Sequence, residues 1–243
     1  MRTLIANELF KLKTSRAPWL ILLVQQVLIA AGMSGLAVAS LDFKSPGAAR
    51  LILCHAGLSS LLVLVLGIMA VAGEYRDGTI TDTFLATPRR SRVIVAKAVT
   101  FTALGFLFAV LTAAVALAVT AAWLSVRGSS LDTSSAIVWQ TLLGAVLWNA
   151  SFTAIGVGLG AWLPNLAGAI SAGLVWIAIV EGIVANLVGN DLARWLPVAA
   201  GRALENVAAP GLLAPWAGGL VLAAYAFGFA AFAVAATVRR DVT

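Results

Sequence analysis

The chain has 243 residues, of which 61% are hydrophobic and only 11% are charged, a balance that excludes a water-soluble globular domain. Its mean hydropathy of +1.00 predicts an integral membrane protein. A net charge of +6 would suggest nucleic acid binding in a soluble protein. Here the basic residues lie in short segments beside apolar runs, which is typical of loops retained in the cytoplasm, so we expect no nucleic acid partner.

Residues 3–16 precede the first apolar run and have a pattern of their own. Ile5, Leu9 and Leu12 fall at helical spacing, while Glu8 lies on the opposite side. This predicts an N-terminal amphipathic interfacial helix within residues 1–16, with its lysines at the lipid headgroups. The alternative is an ordinary positive flank that fixes the topology.

Six apolar runs are long enough to cross a bilayer, which takes about 20 residues of helix. The uncharged stretch 133–180 is too long for one crossing, and Leu163-Pro164-Asn165 supplies a break because proline cannot donate a backbone hydrogen bond. The fold class is therefore predicted to be an all-α integral membrane protein with a single transmembrane domain, 1–243. Its spans are expected at about 18–40, 51–73, 98–124, 134–162, 166–189 and 216–238.

The segments between the spans set the predicted orientation. A short loop follows the first span and contains Asp42, Lys44 and Pro46, and Arg239-Arg240-Asp241 ends the last span. Residues 190–215 mix charges, tryptophan and prolines, which predicts an ordered extracytoplasmic loop with one or two short amphipathic helices. Lysine and arginine are more numerous on the side that holds both termini, so both termini are expected in the cytoplasm and the protein in the plasma (inner) membrane.

Residues 74–97 carry the densest charge in the chain and are predicted to form a cytoplasmic hinge between the second and third spans. Thr79 can cap a short helix that ends before Pro88, with Ile80 and Phe84 on one face. The hinge is longer than a turn of the chain needs, which favours a surface that docks a partner. An oversized loop that only fixes topology is the alternative.

The charged residues of the hinge are expected to act together. Asp82 lies near the positive end of the short helix's dipole, and Ser91 can cap the next helix. Glu74, Arg76 and Asp77 lie at the membrane boundary, where a charge pair is less screened than in open water. We expect the hinge to act as a lever that passes a push from a cytoplasmic partner to the spans beside it.

Glu181 is the one charge predicted inside a span. A carboxylate in the bilayer is costly, so it is a candidate for substrate contact, helix pairing or gating, with a structural or interfacial role as the alternative. Cys54 and His55 have no nearby carboxylate and make a poor metal site, so no metal is expected. The glycines of the fourth span allow close helix contact, either within one bundle or at a dimer seam.

One segment carries a resemblance to a known family. The stretch from Gly73 to Ile80, GEYRDGTI, is followed by LATPRRSR from Leu85 to Arg92 and then by Ala96-Lys97. It resembles the cytoplasmic segment of permease subunits of ATP-binding-cassette (ABC) transporters of the six-span, type-2 exporter class. The amphipathic start, Glu181 and Leu196-Pro197 are similar to that class as well, so the resemblance covers essentially the whole chain.

The resemblance implies a role for each segment. Residues 3–16 resemble the connecting helix of the family, 190–215 its extracytoplasmic helices, and 74–97 the coupling region, with its coupling helix, that meets the ATPase. The implied coupling residues are Glu74, Tyr75, Arg76, Asp77, Gly78, Thr79, Ile80, Phe84, Pro88, Arg89, Arg90 and Arg92. The implied partners are a cytoplasmic ABC ATPase that binds ATP and Mg, a second copy or a paralogous permease, and membrane lipids.

The implied activity is export of a hydrophobic or amphipathic substrate, such as a drug, a lipid or a peptide-like molecule. The sequence lacks a Gly-x-x-x-x-Gly-Lys-Ser/Thr phosphate loop, so we expect this chain not to be an enzyme and ATP hydrolysis to belong to its partner. One alternative is a secondary transporter that works alone, which usually carries several ionisable groups inside the membrane. A membrane-embedded enzyme is a weaker alternative, since no hydrolase or metalloprotease motif is present.

Overall fold

The computed structural model describes residues 1–39 and 47–239. These described residues form helices without a strand, and six helices are long and apolar enough to cross a membrane, which confirms an all-α chain with six candidate spans. The predicted features at Asp42, Lys44, Pro46 and Arg240-Asp241 lie outside the described residues.

The helices of the described chain have the following bounds. They are α1 (Arg2–Thr14), α2 (Ala17–Ala39), α3 (Ala48–Leu53), α4 (Ser60–Arg76), α5 (Ile80–Ala86), α6 (Arg90–Val126), α7 (Ala136–Trp162), α8 (Leu166–Val175), α9 (Glu181–Val188), α10 (Asn190–Ala193), α11 (Pro197–Leu204) and α12 (Pro215–Arg239). A 3₁₀ turn, Cys54–Ser59, joins α3 to α4, and a π turn, Trp176–Val180, joins α8 to α9. Each of these two joined segments is one candidate span.

The six candidate spans give the bundle two distinct ends. The hinge end carries α1, α5 and the beginning of α6, and the loop end carries α10 and α11. At the hinge end α7 stops at Trp162, and Asn165 caps α8 by accepting a hydrogen bond from the Gly168 backbone nitrogen at 2.9 Å. The chain thus reverses direction over three residues. Helix α8 can begin directly after the turn because the Asn165 side chain accepts a hydrogen bond from a backbone N–H that the start of a helix leaves unpaired.

Helices α4 and α7 form the centre of the bundle, and glycine lets their backbones touch. A Cβ atom at Gly67 would run into the Thr153 carbonyl oxygen, and Cβ atoms at Gly156 and Gly160 would run into the backbone of α4. Gly158 faces the backbone of Phe229 on α12 in the same way. Of the two predicted roles for these glycines, packing within one bundle is therefore the one the structure displays.

The loop end is tied into the bundle by α11. The Gly201 backbone lies against the indole ring of Trp148, and Gly144 lies against the backbone of Leu204. Pro197 occupies the first turn of α11, where its missing N–H costs nothing. Most of the surface of α2, of the α8–α9 span and of α12 stays exposed, leaving it available to lipid or to another protein.

Candidate functional site

A cluster of four charges, three of them largely buried and the fourth, Lys11, exposed, lies where the hinge meets the bundle. The Lys97 side chain is 1% exposed, and its Nζ lies 2.9 Å from Glu8 Oε2 and 2.7 Å from Glu74 Oε1. The Nζ of Lys11 lies 2.6 Å from the same Glu74 oxygen and 3.5 Å from Glu8 Oε1. We call Glu8, Lys11, Glu74 and Lys97 the ion cluster, and its two cations balance its two carboxylates.

Each member of the ion cluster comes from an element that the sequence places at the membrane boundary. Glu8 and Lys11 are one turn apart on α1, Glu74 lies in the last turn of α4, and Lys97 lies two turns into α6. Leu12, one residue after Lys11, packs into the central core. The ion cluster therefore joins α1 to the ends of the second and third candidate spans.

Such a cluster stabilises the fold only when each of its buried charges has a partner of opposite sign. A buried charge is expensive unless it is paired, and removing one partner of a buried pair typically costs about 3–5 kcal/mol. Burial acts to lower the pKa of Lys11, but its hydrogen bonds and attraction to Glu74 and Glu8 together outweigh burial, and the net pKa is raised. The second Glu74 oxygen, Oε2, is buried and has no hydrogen-bond partner among the described residues.

The sequence Asp77-Gly78-Thr79 closes α4 with a Schellman motif. The backbone nitrogen of Thr79 donates to the Glu74 carbonyl oxygen at 3.0 Å, and that of Gly78 donates to the Tyr75 carbonyl oxygen at 3.3 Å. Gly78 has a φ of +72°, in the left-handed region that glycine adopts without strain. Glu74 thus contributes its carboxylate to the ion cluster and its carbonyl oxygen to the turn that leads to α5.

Helix α5 packs on the beginning of α6 through its apolar face. Ile80 and Phe84 are buried against Val93, and the Arg90 guanidinium carbon lies 5.3 Å from the centre of the Phe84 ring. This geometry is a cation–π contact. Helix α5 is therefore in direct contact with the first turns of α6.

Two predicted helix caps in the hinge are wrong. Thr79 occupies the N-cap position of α5, but its side chain caps nothing and its carbonyl oxygen accepts from Thr83 Oγ1 at 3.1 Å. The N-cap of α6 is Arg89, so Ser91 lies inside that helix. The helix begins earlier because Thr87 is extended at the end of α5 and Pro88-Arg89 alone makes the connection.

The predicted charge group at the membrane boundary divides in two. Arg76 Nε donates to Asp77 Oδ1 at 2.8 Å on the exposed surface, whereas Glu74 turns inward to the two lysines. The hydrogen bond from Arg76 lowers the pKa of the Asp77 carboxyl group. Exposed ion pairs of this kind contribute little to stability. Within this group, Glu74 is therefore the residue whose contacts stabilise the fold.

A cleft of about 240 Å³ opens beside the ion cluster, between α1 and α5. We call it the hinge cleft. Its lining is Leu4, Asn7, Glu8 and Lys11 from α1, Asp82, Thr83 and Ala86 from α5, Thr87 directly after α5, and Val93 and Ala96 from α6. Pro88, Arg89 and Arg92 are exposed around the connection that follows α5.

Glu181 is not part of this site. It lies at the loop end as the first residue of α9, is 5% exposed, and its Oε1 accepts a hydrogen bond from the Val198 backbone nitrogen of α11 at 2.7 Å. This hydrogen bond joins the loop segment to the α8–α9 span. The second oxygen of Glu181, Oε2, is buried without a hydrogen-bond partner among the described residues.

Sequence reasoning missed the most deeply buried carboxylate of the loop segment. Glu205 is 1% exposed and lies against Gly57 of the 3₁₀ turn, where any side chain would collide with its carboxyl group. Burial raises the pKa of Glu205 well above its ordinary value, although the Gly57 backbone and the positive charge of Arg202 act in the opposite direction. The segment 190–215 is therefore inserted into the bundle at this point and does not lie wholly on its surface.

The sequence matches no protein-family model, and comparison with curated proteins finds no match. The function must be inferred from the arrangement of these residues.

Proposed function

We propose that this chain is the transmembrane permease subunit of an ABC exporter of the six-span, type-2 class. The observation that supports the proposal is the ion cluster. It joins α1 to two candidate spans where these spans meet the exposed hinge. Such a junction suits a protein that receives a mechanical input at its surface and moves its spans in response.

In this proposal the hinge cleft and the outer surface of α5 are the coupling region, and they dock a separate cytoplasmic ATPase. The cleft offers both charges and small residues, and Arg89 and Arg92 add an exposed basic rim. That rim would complement an acidic surface on the partner. ATP and Mg bind to the ATPase, and this chain itself performs no hydrolysis.

Motion of α5 reaches the spans by two routes. The Schellman motif at Gly78 connects it to Glu74 and α4, and the Phe84 contacts connect it to the first turns of α6. Because Lys97 binds Glu74, the two spans move as a unit and α1 moves with them. ATP-linked closure of the ATPases then shifts the bundle between two arrangements.

The proposal also assigns the orientation of the protein, its location, its partner and its cargo. Both termini and the hinge end lie in the cytoplasm, α1 lies along the inner leaflet, and the protein resides in the plasma membrane. A second copy or a paralogous permease completes the transporter. The uncharged character of most spans favours a hydrophobic or amphipathic cargo that is moved outward.

Co-purification tests the proposal. We would co-express the tagged chain with the ABC ATPase encoded nearest to it and measure bound ATPase for the wild type, for the double variant Arg89→Glu/Arg92→Glu, and for Arg16→Glu. All three arginines are exposed, but Arg16 lies outside the hinge and serves as the matched control. A complex that survives Arg16→Glu and is lost in the double variant, at equal membrane expression, supports the proposal.

Two results would contradict it. A chain that purifies alone and transports without ATPase would be a secondary transporter. A complex that withstands the double variant would move the docking surface away from the hinge.

A further inference from the structure

An apolar groove runs along α12 for most of the bundle's height. Its volume is about 860 Å³, and its lining is Trp162, Trp195, Trp216, Ala217, Leu220, Val221, Ala224, Tyr225, Gly228, Phe229 and Phe232. The α12 part of the lining extends from Trp216 at the loop end to Phe232, a length of about 24 Å at 1.5 Å per residue. Trp162 and Phe232 close the far end, with ring centres 5.6 Å apart.

The groove continues into two further cavities. Tyr225 and Phe229 also line an inner apolar cavity of about 300 Å³. Ile177 of the π turn lines both that cavity and a third one of about 280 Å³ at the loop end. The three cavities are therefore neighbours, and the one at the loop end, which we call the polar compartment because it contains charged side chains, is lined by α9, α10, α11 and residues 209–212.

The polar compartment is more positive than negative where it is accessible. Its charged lining residues are Glu181, Arg194 and Arg202. Glu181 is nearly buried, and one of its oxygens is occupied by the Val198 N–H. Arg202 is exposed, and Arg194 has only a 3.7 Å contact with Asp191, whose side chain is 94% exposed. The buried Nε of Arg194 has no hydrogen-bond partner among the described residues.

We infer that this composite site binds an anionic phospholipid from the membrane leaflet at the loop end. Arg194 and Arg202 hold the phosphate, and an acyl chain lies in the groove beside α12. The chemistry is complementary at both ends, since guanidinium groups bind phosphate well and tryptophans such as Trp195 and Trp216 favour the headgroup level.

The length of the groove suits a lipid chain. One leaflet of a hydrocarbon core about 30 Å thick is about 15 Å deep, so the groove is long enough for a full acyl chain. The inference concerns binding and does not depend on the proposed coupling to an ATPase.

Headgroup selectivity is the first test. The full chain is reconstituted in nanodiscs with equal amounts of phosphatidylglycerol and phosphatidylcholine of identical acyl chains, and the lipids that remain bound after gentle release are measured by native mass spectrometry. We expect at least fivefold enrichment of phosphatidylglycerol in the wild type. The double variant Arg194→Gln/Arg202→Gln should bring the two lipids to parity, while Arg127→Gln, an exposed arginine outside the site, should keep the enrichment.

Filling the groove is the second test. A Cβ atom at Gly228 meets nothing within 4 Å, and the same is true of Gly35 on α2, outside the groove. Gly228→Leu should therefore extend its side chain into the groove from an unobstructed Cβ and displace both lipids, while Gly35→Leu should displace neither. Parity of the lipids in the wild type, or lipid retention in a folded Gly228→Leu protein, would overturn the inference. A preference for phosphatidylcholine over phosphatidylglycerol would also overturn it, since the two arginines would then not select an anionic headgroup.

Discussion

Lys97 and Glu74 join the third candidate span to the end of the second, through a 2.7 Å contact between Nζ and Oε1 that is shielded from solvent. The chain between their two helices is the hinge, which is largely exposed and charged. A force applied to the hinge therefore acts on an ion pair in a low-dielectric setting, where partners separate only at considerable cost.

Removal of Lys97 should destabilise the protein strongly. Lys97→Met leaves Glu8 and Glu74 with only Lys11 between them, so we expect the free energy of unfolding to fall by about 3–5 kcal/mol. Unfolding in mixed micelles checks this value. Lys13→Met is the control because Lys13 is an exposed lysine of α1 outside the ion cluster, and this substitution should change the stability little.

A second substitution separates the ion pair from side-chain packing. Glu8→Gln in the Lys97→Met background removes one buried carboxylate that Lys97 no longer balances, so it should restore part of the lost stability. Strictly additive losses from the two substitutions would show that Lys97 and Glu8 are not coupled.

The six candidate spans were predictable because each is a run of apolar residues whose length matches a bilayer. The ion cluster was not, since it depends on the direction in which side chains of three separate elements face. The pattern of α1 placed Glu8 and Lys11 opposite its apolar stripe, yet Glu8 is buried with Leu12, and Leu9 is exposed.

The boundary of α6 explains why Lys97 was overlooked. The sequence placed the third span from residue 98 onward, with Lys97 as its flank, whereas α6 begins at Arg90 and carries Lys97 inside the packed bundle. A lone lysine before an apolar run has the same pattern whether it faces headgroups or a carboxylate. The Schellman motif, by contrast, was readable in principle from Asp77-Gly78 at the end of an apolar run.

Gly78→Ala should weaken the turn between α4 and α5. A non-glycine residue in the left-handed region costs about 1–2 kcal/mol, and φ at Gly78 is +72°. Gly73→Ala is the control, since Gly73 is helical and its Cβ would meet nothing within 4 Å. Thermal unfolding should show a loss for Gly78→Ala and no loss for Gly73→Ala. A smaller loss for Gly78→Asn would attribute the effect to backbone conformation, because asparagine tolerates this region better.

Glu205 should make the stability of the protein depend on pH. Its pKa is raised in the folded state above the ordinary value of 4.5, so the folded protein binds more protons than the unfolded chain above that pH. Stability is then greatest below about pH 4.5 and falls as pH rises toward the folded pKa.

Replacement of Glu205 isolates this effect. Glu205→Gln should match the wild type in acid, where the carboxyl group is protonated, and exceed it near neutral pH. Parallel pH profiles of unfolding for the two proteins would contradict the assignment.

Glu74 and Arg76 should differ in their importance for transport, although both belong to the predicted charge group. Glu74→Gln weakens two contacts to lysines in the ion cluster, while Arg76→Ala removes an exposed pair with Asp77. If the ion cluster transmits the motion of the hinge, Glu74→Gln should lower ATP-driven transport at least tenfold while the chain still inserts in the membrane and binds the ATPase. Arg76→Ala should retain most of the transport, because its contact is exposed to solvent and screened by salt. Transport rates in proteoliposomes, divided by the amount of assembled complex, measure the contrast, and equal losses in both variants would locate the lever on the exposed surface of the hinge and not in the ion cluster.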